Sequence, residues 1–252
     1  MYAAYAPIYQ AIGQAWVGLR ALATVQGWLA ERGISWRRAA DMGCGAGDCA
    51  IQLALQGCAV IGIDQSAAML DLAERQAAAA GASVEWRHGL VTDWEPGEPL
   101  DGVVSFYDTL NYLTEPADFA QACAAAGAAL APGGVFAFDL NAPREYESWV
   151  ERATVTADTE RHFVYNVLDF DPESGLAEGR IVWFERAGDG WRRGEETHRQ
   201  RGYGDGEVAA ALAGAGLEIA ARLTLDGAIA DPIEATRILY IARKPPAPSA
   251  AR

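Results

Sequence analysis

Histidine, cysteine and basic charge are all scarce in this chain. Its 252 residues include three histidines and four cysteines, and 20 Lys and Arg stand against 34 Asp and Glu, a formal net charge of -14. Phosphate contacts need a basic surface, so this balance argues against a nucleic-acid substrate. It also disfavours anionic membranes, while cationic and neutral small molecules stay open as ligands. The cysteines are Cys44, Cys49, Cys58 and Cys123. They form no Cys-x-x-Cys pair, and no Cys/His/Asp spacing resembles a metal site. Reduced thiols in a cytoplasmic protein are the simplest reading. No apolar run reaches the ~18 residues that a membrane helix needs. No basic segment followed by an apolar stretch marks a signal peptide. A Gly-Lys-Ser/Thr phosphate loop and a Gly-x-Ser-x-Gly nucleophile elbow are both missing.

What is present centres on Ala40-Asp41-Met42-Gly43-Cys44-Gly45-Ala46-Gly47-Asp48, followed by the apolar run Val60-Ile61-Gly62-Ile63 ending in Asp64. Glycine takes positive φ and has no Cβ, so the backbone can turn sharply and let a ligand approach the main chain. Cys49 to Leu55 reads as a short helix whose free N–H groups point back at that ligand. Asp64 sits at the carboxyl end of the next strand, where an acid binds ribose hydroxyls. A dinucleotide fingerprint would need a third glycine or alanine where Asp48 stands. A carboxylate there opposes a pyrophosphate, so a ligand without phosphates and with a cationic centre suits the loop better.

Around this loop, strand and helix alternate. Ala39–Met42, Ala59–Ile63, Ser83–Arg87, Gly102–Phe106 and Val135–Leu140 read as strands buried on both faces. Ser66 is placed to cap a helix ending at Gly81, and Pro116 opens another that runs to about Leu130. Tyr2, Tyr5 and Tyr9 share one face of a leading helix, and Trp16, Leu19, Leu22, Trp28 and Leu29 continue an apolar stripe. After Pro143 the pattern becomes three long strands, His162–Phe170, Ala177–Ala187 and Trp191–Tyr203, separated by turn sequences. Asp205 caps a further helix, and Leu217–Leu225 and Thr236–Arg243 form a last pair of strands. The expected fold is α/β, a Rossmann-like, mostly parallel seven-stranded sheet with an inserted antiparallel three-stranded meander.

The glycine loop, Gly62-Ile63-Asp64-Gln65-Ser66-Ala67-Ala68-Met69-Leu70 and Leu130-Ala131-Pro132-Gly133-Gly134-Val135-Phe136 together resemble the class I S-adenosylmethionine-dependent methyltransferases, well over residues 36–142 and loosely elsewhere. The resemblance is to small-molecule enzymes, similar to glycine and sugar-amine N-methyltransferases. It implies S-adenosylmethionine as cofactor. Asp41, Gly43, Cys44, Gly45, Asp64, Gln65, Met69, Leu90, Val91, Phe106 and Tyr107 would contact it. Asp41 supports the loop, Gly43 and Gly45 line the methionine part and Asp64 grips the ribose. Leu90 stands where relatives often carry an adenine-binding acid, which leaves adenine to the Val91 N–H and apolar contact. The resemblance also divides the chain into a helical lid (1–35), the cofactor domain (36–143 and 204–244), a meander over the substrate pocket (144–203) and a disordered tail (245–252).

Methyl transfer from a sulfonium is an in-line displacement that needs alignment above all, and a base only where the nucleophile must lose a proton. The candidate catalytic residues are Tyr9, Asp108, Asn111 and His198. Tyr9 matches a tyrosine that the family places near the methyl group. Asp108 orients an amine or accepts a proton, and Asn111 hydrogen-bonds substrate; capping of the following turn is the competing role for both. His198 is the candidate base, against a structural role on its strand. Asp139 and Asn141 either face the pocket or bond within a turn. The expected reaction is methyl transfer to nitrogen or oxygen of a small molecule, with nitrogen preferred because the site is acidic. A tRNA or protein methyltransferase and a non-catalytic cofactor-binding protein are the alternatives. No nucleic-acid or membrane partner is expected, and a homodimer is left open.

Overall fold

The computed structural model describes residues 4–13 and 16–247; Tyr2 and the tail beyond residue 247 lie outside them. One sheet joins β1 (Arg38–Met42), β2 (Ala59–Asp64), β3 (Glu85–His88), β4 (Leu100–Ser105), β5 (Leu130–Asn141), β10 (Glu218–Leu223) and β11 (Arg237–Arg243). Their order is β10-β11-β5-β4-β1-β2-β3. β1 pairs in parallel with both β2 and β4, so the chain reverses direction across the sheet between β1 and β4. Ligands of open α/β sheets bind at the carboxyl ends of the strands at such a point.

Successive strand residues feed two cores. Ala40, Ile61, Val103, Phe136 and Tyr240 pack against α5 (Pro116–Ala129) and α7 (Asp205–Gly214). Their neighbours Ala39, Val60, Val104, Ala137 and Ile241 pack against α2 (Trp16–Ala30) and α3 (Asp48–Leu55). Strands buried on both faces have no polar side, which is why they read as continuous apolar runs. The Ser66 side chain accepts from Met69 N at 3.4 Å to start α4 (Ala67–Ala80), and Gly81 ends it at φ 69°. Asp205 is not the cap of α7. Gly204 is, with its N–H donating to Glu207 at 3.0 Å, because Arg222 draws the Asp205 carboxylate away in a pair of contacts at 2.5 and 3.0 Å.

The second sheet has four strands rather than three: β6 (Arg152–Asp158), β7 (His162–Asp171), β8 (Leu176–Ala187) and β9 (Gly190–Arg201), antiparallel in that order. β6 was missed because it is an edge strand with five of its seven residues exposed, so no buried alternation marks it. The leading helix is two helices. α1 (Ala6–Ala11) ends at Ile12 and Gly13, whose φ of 69° a continuing helix cannot use, and α2 follows. The stripe on α2 is Val17, Ala21, Leu22, Val25, Trp28 and Leu29, with Trp16 and Leu19 exposed. α1 lies on the second sheet, with Tyr5 against Trp183 at 5.3 Å between ring centroids. α6 (Pro143–Glu147) leads from β5 toward that sheet. Among the described residues no helix is long and apolar enough to cross a membrane.

Gly102 of β4 tests this packing. A Cβ there would come within 2.4 Å of the Trp36 ring. Gly102→Ala should therefore cost about 1–3 kcal/mol, read as a lower urea midpoint at unchanged m-value.

Candidate active site

The first loop departs from β1 through three left-handed glycines, Gly43 (φ 68°), Gly45 (53°) and Gly47 (85°). At Gly43 a Cβ would lie 2.2 Å from the Thr109 methyl, so the loop after β4 closes on it. At Gly45 a Cβ would meet nothing within 4 Å, because that face of the backbone opens into a cavity. The Asp64 carboxylate spans the gap between loops: one oxygen accepts from Gly45 N at 2.9 Å, the other from Ser66 N at 2.8 Å. Each oxygen keeps further acceptor capacity for a ligand hydroxyl. Asp41, 3% exposed, accepts from Ala50 N at 3.1 Å and holds the start of α3 under the loop. Burial pushes its carboxyl up to about 7 and moves Asp48 and Asp64 in the same direction. The four cysteines are buried and free, and burial raises the Cys44 thiol well above its ordinary range, which leaves it a space-filling group of the loop.

The cavity has a volume of about 410 Å³. The structure brings all eleven expected cofactor residues to its wall. Asp41, Gly43, Cys44 and Gly45 come from the first loop and Asp64, Gln65 and Met69 from the second. Leu90 and Val91 follow β3, and Phe106 and Tyr107 follow β4. Leu90 is 54% exposed, so it shields the rim rather than the depth of the cavity. Asp48, Thr109 and Tyr112 also line it, as do Gly18 and Asp118, which the sequence did not mark. The charged side chains in the described wall are Asp41, Asp48, Asp64 and Asp118; no Arg, Lys or His is among them.

The four candidate catalytic residues separate. Tyr9 lines the cavity, its ring 6.1 Å from that of Tyr107. Asp108, Asn111 and His198 stand behind the wall. Both Asn111 Nδ2 hydrogens are committed, to Asn141 O at 3.0 Å and Arg201 O at 2.7 Å, while its Oδ1 accepts from Asn141 N at 2.9 Å. Asn111 therefore clamps β5 to β9 instead of holding substrate. Asp108 accepts from Gln200 Nε2 at 2.7 Å and from Arg237 at 3.1 Å, and is a framework group instead of an open base. Arg237, unflagged by the sequence, also pairs with the fully buried Asp139. Asp139 in turn accepts from Tyr107 N at 2.6 Å. These contacts hold Tyr107 (φ 61°) and Asp108 (φ 51°) in consecutive left-handed conformations that non-glycine residues adopt at a cost. His198 is buried on β9 beside Gln200, on the face that strand alternation assigns to it. Its Nδ1 lies 3.2 Å from Tyr112 Oη, and burial lowers its pKa, so the ring is neutral near pH 7.

The buried carboxylates make stability depend on pH. The folded-state pKa of Asp41, about 7, lies above its ordinary 3.8, so its contribution is complete below about pH 4 and is lost as pH rises through about 7. Asp41→Asn should flatten this part of the stability profile, narrowing the difference in urea midpoint between pH 5 and pH 8. An unchanged slope would place the titration elsewhere.

Comparison with known proteins agrees with this geometry. Residues 39–134 match the family described as methyltransferase domain. A protein of Geobacillus sp. (strain WCH70) that carries the name of a methyltransferase is 31% identical over 214 residues, covering 82% of this chain and 85% of that protein. Among solved structures, an S-adenosylmethionine-dependent methyltransferase from Clostridium acetobutylicum ATCC 824 superposes with a TM-score of 0.86 at 21% identity, over 96% of this chain and 98% of that one. CalS10, an amino pentose methyltransferase from Micromonospora echinaspora with S-adenosylmethionine bound, does so with a TM-score of 0.74 at 23% identity, over 97% and 98% of the two chains. The open face at Gly45, the spare acceptor capacity of Asp64 and a wall without cations fit that cofactor. The chain belongs to the class I S-adenosylmethionine-dependent methyltransferases, and S-adenosylmethionine is its cofactor.

Proposed function

We propose that this enzyme methylates the nitrogen of a small, neutral or cationic amine. The observation that carries this reading is the cavity wall, with four aspartates and no basic side chain among its described residues. An acceptor with a phosphate or carboxylate near its reacting atom would meet repulsion with no cation to offset it. Arg237, a half-buried cation outside that wall, is already shared by Asp108 and Asp139. The net charge of -14 opposes a tRNA acceptor in the same way. The naming of CalS10 as an amino pentose methyltransferase supports an amine on a full-length structural relative.

S-adenosylmethionine supplies an electrophilic methyl group on a positively charged sulfur. The residues of this chain would hold it and align the acceptor. Asp64 takes the ribose hydroxyls, Gly43 and Gly45 admit the methionine part, and Leu90 and Val91 flank the base. Tyr9 and Tyr107 bring aromatic faces to the acceptor side, where they attract cations and exclude water. The described residues of segment 1–35 act as a lid, and residues 144–203 cover the acceptor, over a cofactor domain formed by 36–143 and 204–244. Four buried free thiols support a reducing, cytoplasmic setting.

Two measurements test this reading. Asp64→Ala should raise the calorimetric Kd for S-adenosylmethionine roughly 10- to 100-fold, the equivalent of losing about 1.5–3 kcal/mol of hydrogen bonding to a charged group. A panel of shape-matched amines, phenols, carboxylates and phosphates should yield S-adenosylhomocysteine with amines first and with phosphates least. Turnover confined to anionic acceptors would overturn the charge argument.

A further inference from the structure

Two side chains outside the expected cofactor set, Tyr112 and His198, stand next to each other at the cavity, one in its wall and one behind it. Tyr112 ends the 3₁₀ turn Thr109–Tyr112 and lines the cavity. Its Oη lies 3.2 Å from His198 Nδ1, with the two rings edge to face at 5.7 Å. On the far side of the imidazole, Nε2 lies 3.5 Å from Glu196 Oε2. Glu196 is itself held, its other oxygen accepting from Ala4 N at 2.7 Å and Tyr5 N at 3.1 Å at the entrance to α1. The imidazole is thus fixed between a phenol that reaches the cavity and a carboxylate that does not line it.

We propose that Tyr112, His198 and Glu196 form a proton relay, with the Tyr112 hydroxyl as the group that meets the acceptor. The inference rests on the amine reading above and adds to it where the proton goes. The acceptor's nitrogen lone pair forms the bond to the methyl carbon as the carbon–sulfur bond breaks and leaves its pair on sulfur. The proton that the nitrogen sheds passes to Tyr112 Oη, and the Tyr112 proton passes to His198 Nδ1. The imidazolium that forms faces Glu196 and releases its proton to solvent before the next turnover. In this arrangement the resting imidazole carries its hydrogen on Nε2, toward Glu196, because Nδ1 must accept from the phenol. Among the described residues, the charged groups that act on His198 are Glu196 from its own strand and Asp108 from the loop after β4. Both favour the imidazolium, while burial favours the neutral ring that can accept a proton. Gly179, its partner on β8, brings no charge.

The test needs two readouts on the full chain. With S-adenosylhomocysteine bound, nitrogen-15 NMR of the histidines should show His198 as the neutral Nε2–H tautomer at pH 7, and Tyr112→Phe should shift its Nδ1 resonance. A resting Nδ1–H tautomer overturns the relay whether or not an acceptor is in hand. With the amine that turns over fastest in the panel, Tyr112→Phe and His198→Gln should each lower kcat roughly 10²-fold at pH 7. The double variant should lose little more than either single one, since the two act in series. The Kd for S-adenosylmethionine and the thermal midpoint should stay close to wild type, which separates a lost proton path from a misfolded pocket. A raised Kd with unchanged kcat would make Tyr112 part of the cofactor wall and overturn the proposal. Failure of every amine in the panel, with the Nε2–H tautomer in place, would instead count against the amine reading.

Discussion

The carboxylates of Asp108 and Asp139 share one guanidinium, that of Arg237, and the stretch of cavity wall at Tyr107 hangs on this shared charge. Asp139 belongs to β5, Arg237 to β11 and Asp108 to the loop after β4. Through Gln200 the same cluster reaches β9 of the second sheet. Asp139 is fully buried, so removing Arg237 would leave its charge uncompensated. The strained backbone at Tyr107 and Asp108 persists because Asp139 takes the Tyr107 N–H and Arg237 takes the Asp108 carboxylate. Asn111 completes the joint, tying the ends of β5 and β9 with three hydrogen bonds. The second sheet is therefore fastened to the first by buried polar contacts here and by the aromatic packing of α1 on Trp183 at its other side.

The cofactor side is built on a different principle. There a backbone does the shaping, with glycines at positive φ and a carboxylate that accepts from two N–H groups. Burying Asp41, Asp48 and Asp64 without a cationic side chain in the cavity wall raises the energy of their charged forms. A positively charged ligand relieves that cost, and an anionic one adds to it. The two parts of the cavity wall are thus built differently: one buries carboxylates held by backbone N–H groups, and the other holds its aromatic wall rigid by pairing its own charges.

The cofactor loop was legible in the sequence because its determinants are local. Gly43, Gly45 and Asp64 are recognised by spacing along the chain, and the strands that carry them announce themselves as apolar runs between turn residues. All eleven residues that the family resemblance implies line the cavity. The loop after β4 was not legible in the same way. For Asp108 and Asn111 the sequence left a substrate contact and local turn capping as competing roles, and neither is what holds them. Their partners, Arg237 and Gln200 for one, Asn141 and Arg201 for the other, lie 30 to 129 positions away. Arg237 gave no signal, being an ordinary basic residue at the start of a strand. The edge strand β6 and the break at Gly13 escaped for a related reason: an exposed strand carries no alternation, and one glycine does not interrupt a helical stripe by itself.

Sequence alone determined the alternating architecture, the position of the glycine loop and that of the acid ending the next strand, since backbone conformation and burial periodicity are encoded over a few neighbouring residues. Only the tertiary structure decided which polar groups are free to act and which are consumed in holding the fold together. That choice depends on partners brought within about 3 Å by strands far apart in the chain, and hydrogen bonding and charge pairing are governed by distance in space. It moved Asp108 and Asn111 into the framework, placed His198 behind Tyr112, and left Tyr9 and Tyr112 facing the cavity.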